Sequence, residues 1–362
     1  MKMKRLWGRI HLWIGLAIGI PFFLIALSGA IYSWQPEISA IIYQQHVSAQ
    51  DQPFVSVSEL RATMQSEFPK GDFRTAFFKD QTHTAEVLLY VPGTYYIAFL
   101  NPYTAELVHL QDMKRGWLNY LKLLHRELLL GPKGKQVVHW VTLLSLLMMA
   151  SGIVLWWPVN KIGRRKRFFI KWGVSPRRLN YDIHNVLGFY ASWIVLFIAL
   201  TGVFWGFESV RDGLKWMTGE TKIQYDIAES IPPTSEIDRD HFILLDSLAF
   251  SYKQAFPDKF IRVSNPHGEK EPIRVTVVDP SLLLYRTDHY YHDRYAGQQL
   301  EGHFEYDLQQ ETSSYHRLNS YVYDIHFGTI LGFPGRLLAC LASLIFASLP
   351  ITGFFIWWSK GR

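Results

Sequence analysis

Four histidines in this chain recur in register, and imidazole is a side chain that binds metal through either ring nitrogen. His125 and His326 head two apolar runs that align at an offset of 201 residues. In that register Gly131 falls on Gly332, Gly134 on Gly335, Lys135 on Arg336, Ser151-Gly152 on Thr352-Gly353 and Trp156-Trp157 on Trp357-Trp358. His11 and His184 head two more runs at an offset of 173, where Gly15 falls on Gly188 and IALSG (25–29) on IALTG (198–202). If the copies pack about a pseudo-two-fold along the membrane normal, each His meets its own copy across the interior. Two facing imidazoles suit bis-His ligation of a b-type haem. With Cys340 as the single cysteine, no CxxCH motif exists and covalent haem is excluded. Zinc fits less well, because no Asp, Glu or Cys joins either pair at ligand spacing. The bland reading is that each His satisfies a carbonyl at a helix end; pairwise matching at two offsets weighs against it.

His139 is a fifth candidate, fourteen residues after His125, about 21 Å on if one helix carried both. Its copy is Cys340, so it is either a ligand or a packed interior His. Candidate propionate contacts are Arg9, Arg177 and Arg178 beside the inner pair, and Arg126, Lys135 and Arg336 beside the outer pair. Each also reads as an ordinary topology charge or a snorkelling side chain. The repeated glycines permit close helix approach, and Gly15 and Gly188 could also leave room for a macrocycle.

The elements that must position these residues are apolar. The 362 residues are 49% hydrophobic and only 19% charged, against about a quarter charged in soluble domains. Four stretches, about 10–34, 137–158, 183–207 and 336–358, each approach the ~20 residues that cross a bilayer. Fourteen of the 37 basic residues lie in residues 1–9, the 159–182 segment and the tail, with Asp182 as the only acid among them. The positive-inside rule makes those flanks cytoplasmic. The net charge of +6 is thus a topology signal and not a nucleic-acid footprint. The first stretch is longer than a signal-peptide h-region and its copy lies mid-chain, so it reads as an uncleaved span.

The expected order is therefore a cytoplasmic lip and first span (1–34), an outer insert (35–123), an approach segment and second span (124–158), and a basic cytoplasmic loop (159–182). A third span (183–207), a second insert (208–323), and an approach, fourth span and tail (324–362) complete it. In the first insert, 56–68 has helical spacing with Ser58 as a candidate cap. Runs at 73–78, 86–91, 95–100 and 106–110 read as strands, with a turn at Asn101-Pro102-Tyr103-Thr104. The second insert repeats this with a helix at 242–256 and strands at 260–263, 273–278 and 287–292. Residues 212–240 read as a surface linker. Without a disulfide, each insert is expected to fold on its own core. Gly131–Gly134 and Gly332–Gly335 are expected to break the helices that approach spans two and four.

With H-x3-G opening spans one and three, LH-x4-LG and IH-x4-LG before spans two and four, and SG-x2-LWWP closing span two, the chain resembles the PepSY-associated transmembrane family over nearly its whole length. The resemblance implies an α-helical membrane protein: a four-helix transmembrane bundle from two tandem repeats with pseudo-two-fold symmetry, plus two small α+β PepSY-like periplasmic inserts. Characterised relatives include inner-membrane ferric-siderophore reductases of the FoxB type, which are di-haem proteins. Carried over, the family's ligands fall on His11, His125, His184 and His326, with two haem b as cofactors. The first hairpin departs from the family in having Asn101 and Ala105 where Asp and Gly are frequent.

The expected function is a bacterial inner-membrane oxidoreductase with both termini cytoplasmic. It would accept electrons from a quinol or a cytoplasmic reductase and reduce a ferric siderophore in the periplasm. No G-x-G triplet occurs, so a dinucleotide site is absent and the donor is separate. His289, Tyr290, Tyr291 and His292, with His303 and His316 beyond, are candidate substrate contacts, or simply a strand and turn. Two rival readings stay open: a membrane-anchored PepSY binding or regulatory module, and a siderophore or iron transporter component.

Overall fold

The computed structural model describes residues 2–158, 167–220, 228–233, 241–280, 287–301 and 314–359. In chain order its elements are α1 (Lys2–Tyr32), α2 (Gln35–Ile42), α3 (Val57–Glu67), β1 (Asp72–Phe78), β2 (Ala85–Val91), β3 (Thr94–Leu100) and β4 (Leu107–Asp112). Then come α4 (Trp117–Glu127), α5 (Gly131–Trp156), α6 (Pro176–Gly206), α7 (Glu208–Met217) and α8 (Phe242–Ala255). The chain closes with β5 (Phe260–Ser264), β6 (Ile273–Val278), β7 (Thr287–His292), β8 (Gln299–Leu300), α9 (Ser314–Phe327) and α10 (Gly332–Trp358). Two compact units result: Met1–Gln35, Tyr120–Met217 and Tyr321–Arg362 form the first, Pro36–Asn119 and Thr218–Ser320 the second.

In the first unit α1, α5, α6 and α10 are each long and apolar enough to cross a membrane. Both α1 and α6 pack against α5 and α10, so α1 stands diagonally opposite α6 and α5 opposite α10. Large apolar side chains point outward (Trp13, Ile20, Leu147, Phe197, Phe355), while Ser28, Ser145, Ser151, Ser192 and Thr201 are buried. That inversion of the soluble pattern is what lipid selects: small and polar groups hold helices together when the surroundings are as apolar as leucine. The third span starts earlier than the apolar run does, with Pro176 in the first turn of α6. Pro is pre-shaped for that turn, and Arg177 and Arg178 therefore sit on the helix rather than in a loop.

The breaks before spans two and four occur as expected. α4 ends at Glu127, and Leu128, Leu129 and Gly131 all take left-handed φ values of 51°, 59° and 62°. A Cβ on Gly134 would overlap the Glu127 carbonyl oxygen, so the last turn of α4 lies directly on the first turn of α5. Gly335 plays the same part for the Gly328 carbonyl before α10. His125 and His139 consequently lie on different helices.

The second unit corrects the expectation of two independent inserts. Its strands form one antiparallel sheet, ordered β4-β3-β2-β1-β5-β6-β7-β8. The seam is β1 on β5, with Thr75 opposite Ser264 and Phe78 opposite Ile261. Each half alone would leave an unpaired strand edge there, and the pairing satisfies both. One core results: Ala76, Val87, Leu89, Ala98, Ile261, Val263, Ile273 and Val275 face Val57, Leu60 and Met64 of α3 and Phe242 and Leu245 of α8. Among the strands, β1 to β7 lie within two residues of the runs read from alternation, and α8 ends one residue short of its expected bound.

Two local expectations change. Ser56, not Ser58, caps α3: its hydroxyl accepts from Glu59 N at 3.1 Å while the Glu59 carboxylate accepts from Ser56 N at 2.7 Å, a reciprocal capping box. Ser58 instead donates through its backbone N (2.8 Å) and hydroxyl (2.6 Å) to the Asp246 carboxylate of α8. Part of the expected linker at 212–240 is helix, since α7 runs to Met217; residues 221–227 and 234–240 lie outside those described. The departures at the first hairpin have a simple geometry. Asn101 Oδ1 accepts from Tyr103 N, and Asp293 Oδ1 does the same for Tyr295 N in the second hairpin. Either residue supplies the acceptor the turn requires. Ala105 and Gly297 occupy the left-handed corner, at φ 56° and 75°.

Asp246 ties α3 to α8 and so joins the two inserts through a charge-assisted pair at a helix N-terminus. Asp246→Ala should destabilise the sheet unit by about 1.5–3 kcal/mol, measured by denaturant unfolding of the full chain. A change within error would mean that the halves are held by the sheet seam alone.

Candidate functional site

The four repeated histidines come together as two pairs, both in the helical unit. The rings of His11 on α1 and His184 on α6 have centroids 6.4 Å apart, with planes at 89°. Those of His125 on α4 and His326 on α9 are 6.1 Å apart, with planes at 64°. The first pair spans one diagonal of the bundle. The second is carried by the helices that lead into the other diagonal, α5 and α10. His11 and Gly29 are 18 residues apart on α1, about 27 Å along the helix, and Gly29 is where His125 packs. The pairs thus lie near opposite ends of the bundle.

Each imidazole is cradled by a Ser-Gly or Thr-Gly step of a neighbouring helix. His11 Nδ1 is 2.8 Å from Ser151 Oγ, and His184 Nδ1 is 2.8 Å from Thr352 Oγ1. His326 Nδ1 is 2.9 Å from Thr201 Oγ1 and 3.1 Å from Ile198 O, and His125 Nδ1 is 2.8 Å from Ile25 O. Ser28 donates to that same Ile25 carbonyl, at 3.1 Å. The glycine that follows each hydroxyl faces the ring, most tightly at Gly29 and Gly353. An added Cβ would stand 2.7 Å from His125 Cε1 at Gly29, 3.4 Å from His11 Cε1 at Gly152, 3.2 Å from His184 Cε1 at Gly353 and 3.8 Å from His326 Cε1 at Gly202. The doublets repeat in the sequence, where they read as helix packing; their contact with the imidazoles is new from the structure.

These bonds decide the tautomer. A backbone carbonyl can only accept, so His125 and His326 carry hydrogen on Nδ1. Ser151 and Thr352 already donate to the Met148 carbonyl (2.9 Å) and the Leu349 carbonyl (3.1 Å), so their oxygens accept Nδ1–H from His11 and His184. All four rings therefore keep Nε2 as the unprotonated nitrogen, the form that binds a metal, with the other N–H held by a second group. An imidazole nitrogen binds a transition metal at about 2.0 Å. Adding about 1.1 Å from nitrogen to ring centre, two rings on opposite sides of one ion have centroids about 6.2 Å apart. Both observed spacings match, so each pair of imidazoles could hold one metal ion, such as the iron of a haem, between them. Among the described residues no three His, Cys, Asp or Glu side chains converge on one point.

Two acids belong to the same neighbourhoods and were not singled out from the sequence as site residues. Asp182 and Asp324 are 5% and 1% exposed, two residues before His184 and His326, and each leaves Oδ2 buried without a hydrogen-bond partner. Buried oxygens of this kind call for a further donor, which a bound group or its ordered water would supply. The signal was available: the tetrapeptide YDIH occurs at 181–184 and again at 323–326.

The remaining candidates are placed as follows. The His139 ring packs on Phe207, with centroids 5.9 Å apart, and on Gly206. Its copy, Cys340, accepts from Trp34 Nε1 at 3.3 Å. Arg178 pairs with Asp182 at 3.0 Å, and the Arg336 guanidinium lies 4.7 Å from the Trp34 ring centre. Arg9, Arg126, Lys135 and Arg177 are exposed. Gly15 and Gly188 pack against Met148 and Leu349, which is plain helix packing. Lys161, Arg164, Arg165, Lys166, His303 and the His316 side chain lie outside the described residues.

On β7, His289, Tyr290, Tyr291 and His292 are parts of the sheet. His289 Nδ1 and Nε2 bond to Thr276 Oγ1 (3.1 Å) and Thr287 Oγ1 (3.0 Å). His292 Nδ1 donates to Gly297 O at 3.0 Å, so its Nε2 accepts from Tyr252 O–H at 2.9 Å. Tyr290 packs on Tyr252 with centroids 5.0 Å apart, and Tyr291 pairs with Arg274 of β6. Neither imidazole can meet a chelate without giving up bonds the fold uses.

The family model described as the PepSY-associated TM region matches residues 8–360. No curated protein matches the chain.

The β7 histidines give the sheet unit a pH dependence. Burial, reinforced by the Arg274 charge and partly opposed by Asp288, pushes His289 from 6.5 down to about 4. Burial also lowers His292, against the effect of its Gly297 bond. With folded values below unfolded ones, the unfolded chain takes up protons first as pH falls. Stability should hold above about pH 6.5 and fall progressively toward about pH 4, as read by thermal melts. His289→Gln should flatten that slope, and an unchanged slope would contradict the assignment.

Proposed function

Because the chain belongs to the family of the PepSY-associated TM region, a multi-pass membrane protein with four spanning helices, we propose that it is a di-haem b oxidoreductase of the bacterial inner membrane. It passes electrons from a quinol or cytoplasmic reductase to Fe(III) held in a siderophore on the periplasmic side. In this reading the basic flanks favour cytoplasmic termini, with the inserts outside and the two halves related by a pseudo-two-fold axis along the membrane normal. The observation that carries the reading is the pair of facing imidazole couples, all four rings in the metal-binding tautomer, near opposite ends of an apolar bundle.

His11 and His184 would hold the inner haem, His125 and His326 the outer one. Bound haem iron supplies reversible one-electron chemistry there. The protein's part is to fix four nitrogens and keep them unprotonated. Between the couples lies an apolar core of Met149, Val195, Ala342 and Phe346, packed by Phe22. Reduction releases the cargo because Fe(II) is softer and less charged than Fe(III), and so is held less well by hard oxygen donors.

Haem content tests the assignment. The purified chain should hold two haems, falling to about one in His11→Ala or His184→Ala and to the other one in His125→Ala or His326→Ala. Equal loss of both haems from all four variants, with the fold retained, would contradict two separate sites. Ser151 and Thr352 act through the ligands: accepting Nδ1–H makes an imidazole more basic and favours the ferric state. Ser151→Ala or Thr352→Ala should therefore raise the midpoint potential of the inner haem alone, with Ser151→Thr restoring it. An unmoved potential would assign these hydroxyls to packing only.

A further inference from the structure

The geometry points to a third imidazole site, in the sheet unit, where His46 and His83 together bind a divalent transition-metal ion of the Cu(II) and Zn(II) class. This inference stands apart from the haem reading and uses none of its residues. His46 and His83 are partners in an isolated antiparallel bridge. The flanking bonds run from Val47 N to Thr82 O and from Thr84 N to Gln45 O, both 2.9 Å. That pattern makes the two histidines a non-hydrogen-bonded pair, the arrangement in which opposed side chains stand closest, with Cα atoms about 4.5 Å apart. Backbone pairing thus holds both imidazoles on one face before any ion arrives.

Their ring centroids are 4.7 Å apart, with planes at 53°. On the arithmetic used for the haem pairs, each ring centre sits about 3.1 Å from a bound ion. Rings at 90–110° around one ion are then about 4.4–5.1 Å apart. The spacing fits neighbouring positions on one ion, just as 6.1 and 6.4 Å fit opposite ones. His83 is also oriented as a ligand. Its Nδ1 is 2.7 Å from Asp80 Oδ1, an oxygen that also accepts from Thr82 N (2.8 Å) and Thr82 Oγ1 (2.7 Å). A carboxylate on one ring nitrogen fixes the tautomer that leaves Nε2 for metal.

Two nitrogens do not close a coordination sphere, and among the described residues no third such group joins them. The ion would keep water on its other positions and exchange readily. Imidazole pairs favour Cu(II) most strongly among the divalent first-row ions.

The test uses the full purified chain, tag-free, titrated with Cu(II) against a chromophoric competitor and followed by electron paramagnetic resonance. The expected result is one tightest equivalent with hyperfine structure from imidazole nitrogen. That equivalent should disappear in His46→Gln and in His83→Gln, and bind about 10–100-fold more weakly in Asp80→Asn. Zn(II) should displace Cu(II) from the same equivalent at higher concentration. His46 is exposed, so His46→Gln leaves the fold intact and decides the matter even where the other variants do not. Wild-type and His46→Gln chains binding the same equivalents with the same affinity would overturn the site.

Discussion

The bond on which the helical unit depends is the one from each imidazole Nδ1–H to an oxygen of the adjacent helix. An ionisable ring in an apolar bundle is costly unless its polar atoms are satisfied, and each of the four finds an acceptor within 3.1 Å. The same contact does three things at once. It offsets the burial cost, fixes which nitrogen carries hydrogen, and turns the ring toward its opposite number. The glycine after each hydroxyl lies against the ring, and at Gly29 and Gly353 an added Cβ would crowd it. Sequence spacing then becomes geometry: Ser-Gly and Thr-Gly doublets on spanning helices locate the histidines, and the histidines define two sites.

The sheet unit uses imidazole in the opposite way. There His289 and His292 spend both ring nitrogens on neighbours in the fold, leaving nothing for a ligand. His46 and His83 lie between the extremes, one anchored by a carboxylate and both held opposite each other by backbone pairing. Residue type alone does not separate these roles. The number of ring nitrogens already committed does.

Much of this could be read from the chain, and the rest has identifiable reasons for being hidden. The spans were legible because apolar length is a bulk property, and the strands because alternation is local. The four histidines stood out because two independent offsets selected the same residue type. The join between β1 and β5 was not legible, since it pairs residues nearly two hundred positions apart that carry no local mark. Ser56 carries a capping-box signal in Glu59, three residues on, whereas Ser58 serves a contact with α8 that only the tertiary fold creates. The doublets at 28–29, 151–152, 201–202 and 352–353 were visible as repeats, but small residues on membrane helices have a sufficient explanation in packing. YDIH occurs twice, but each copy straddles a boundary, the first between the basic loop and the third span and the second between the outer insert and the approach to the fourth span.

Low-temperature electron paramagnetic resonance of the oxidised, purified chain addresses the central claim most directly, because ligand identity at ferric haem sets the spin state. The account predicts two low-spin ferric signals of bis-imidazole type, with no high-spin component. A haem-free chain, or a spectrum dominated by high-spin iron, would contradict it.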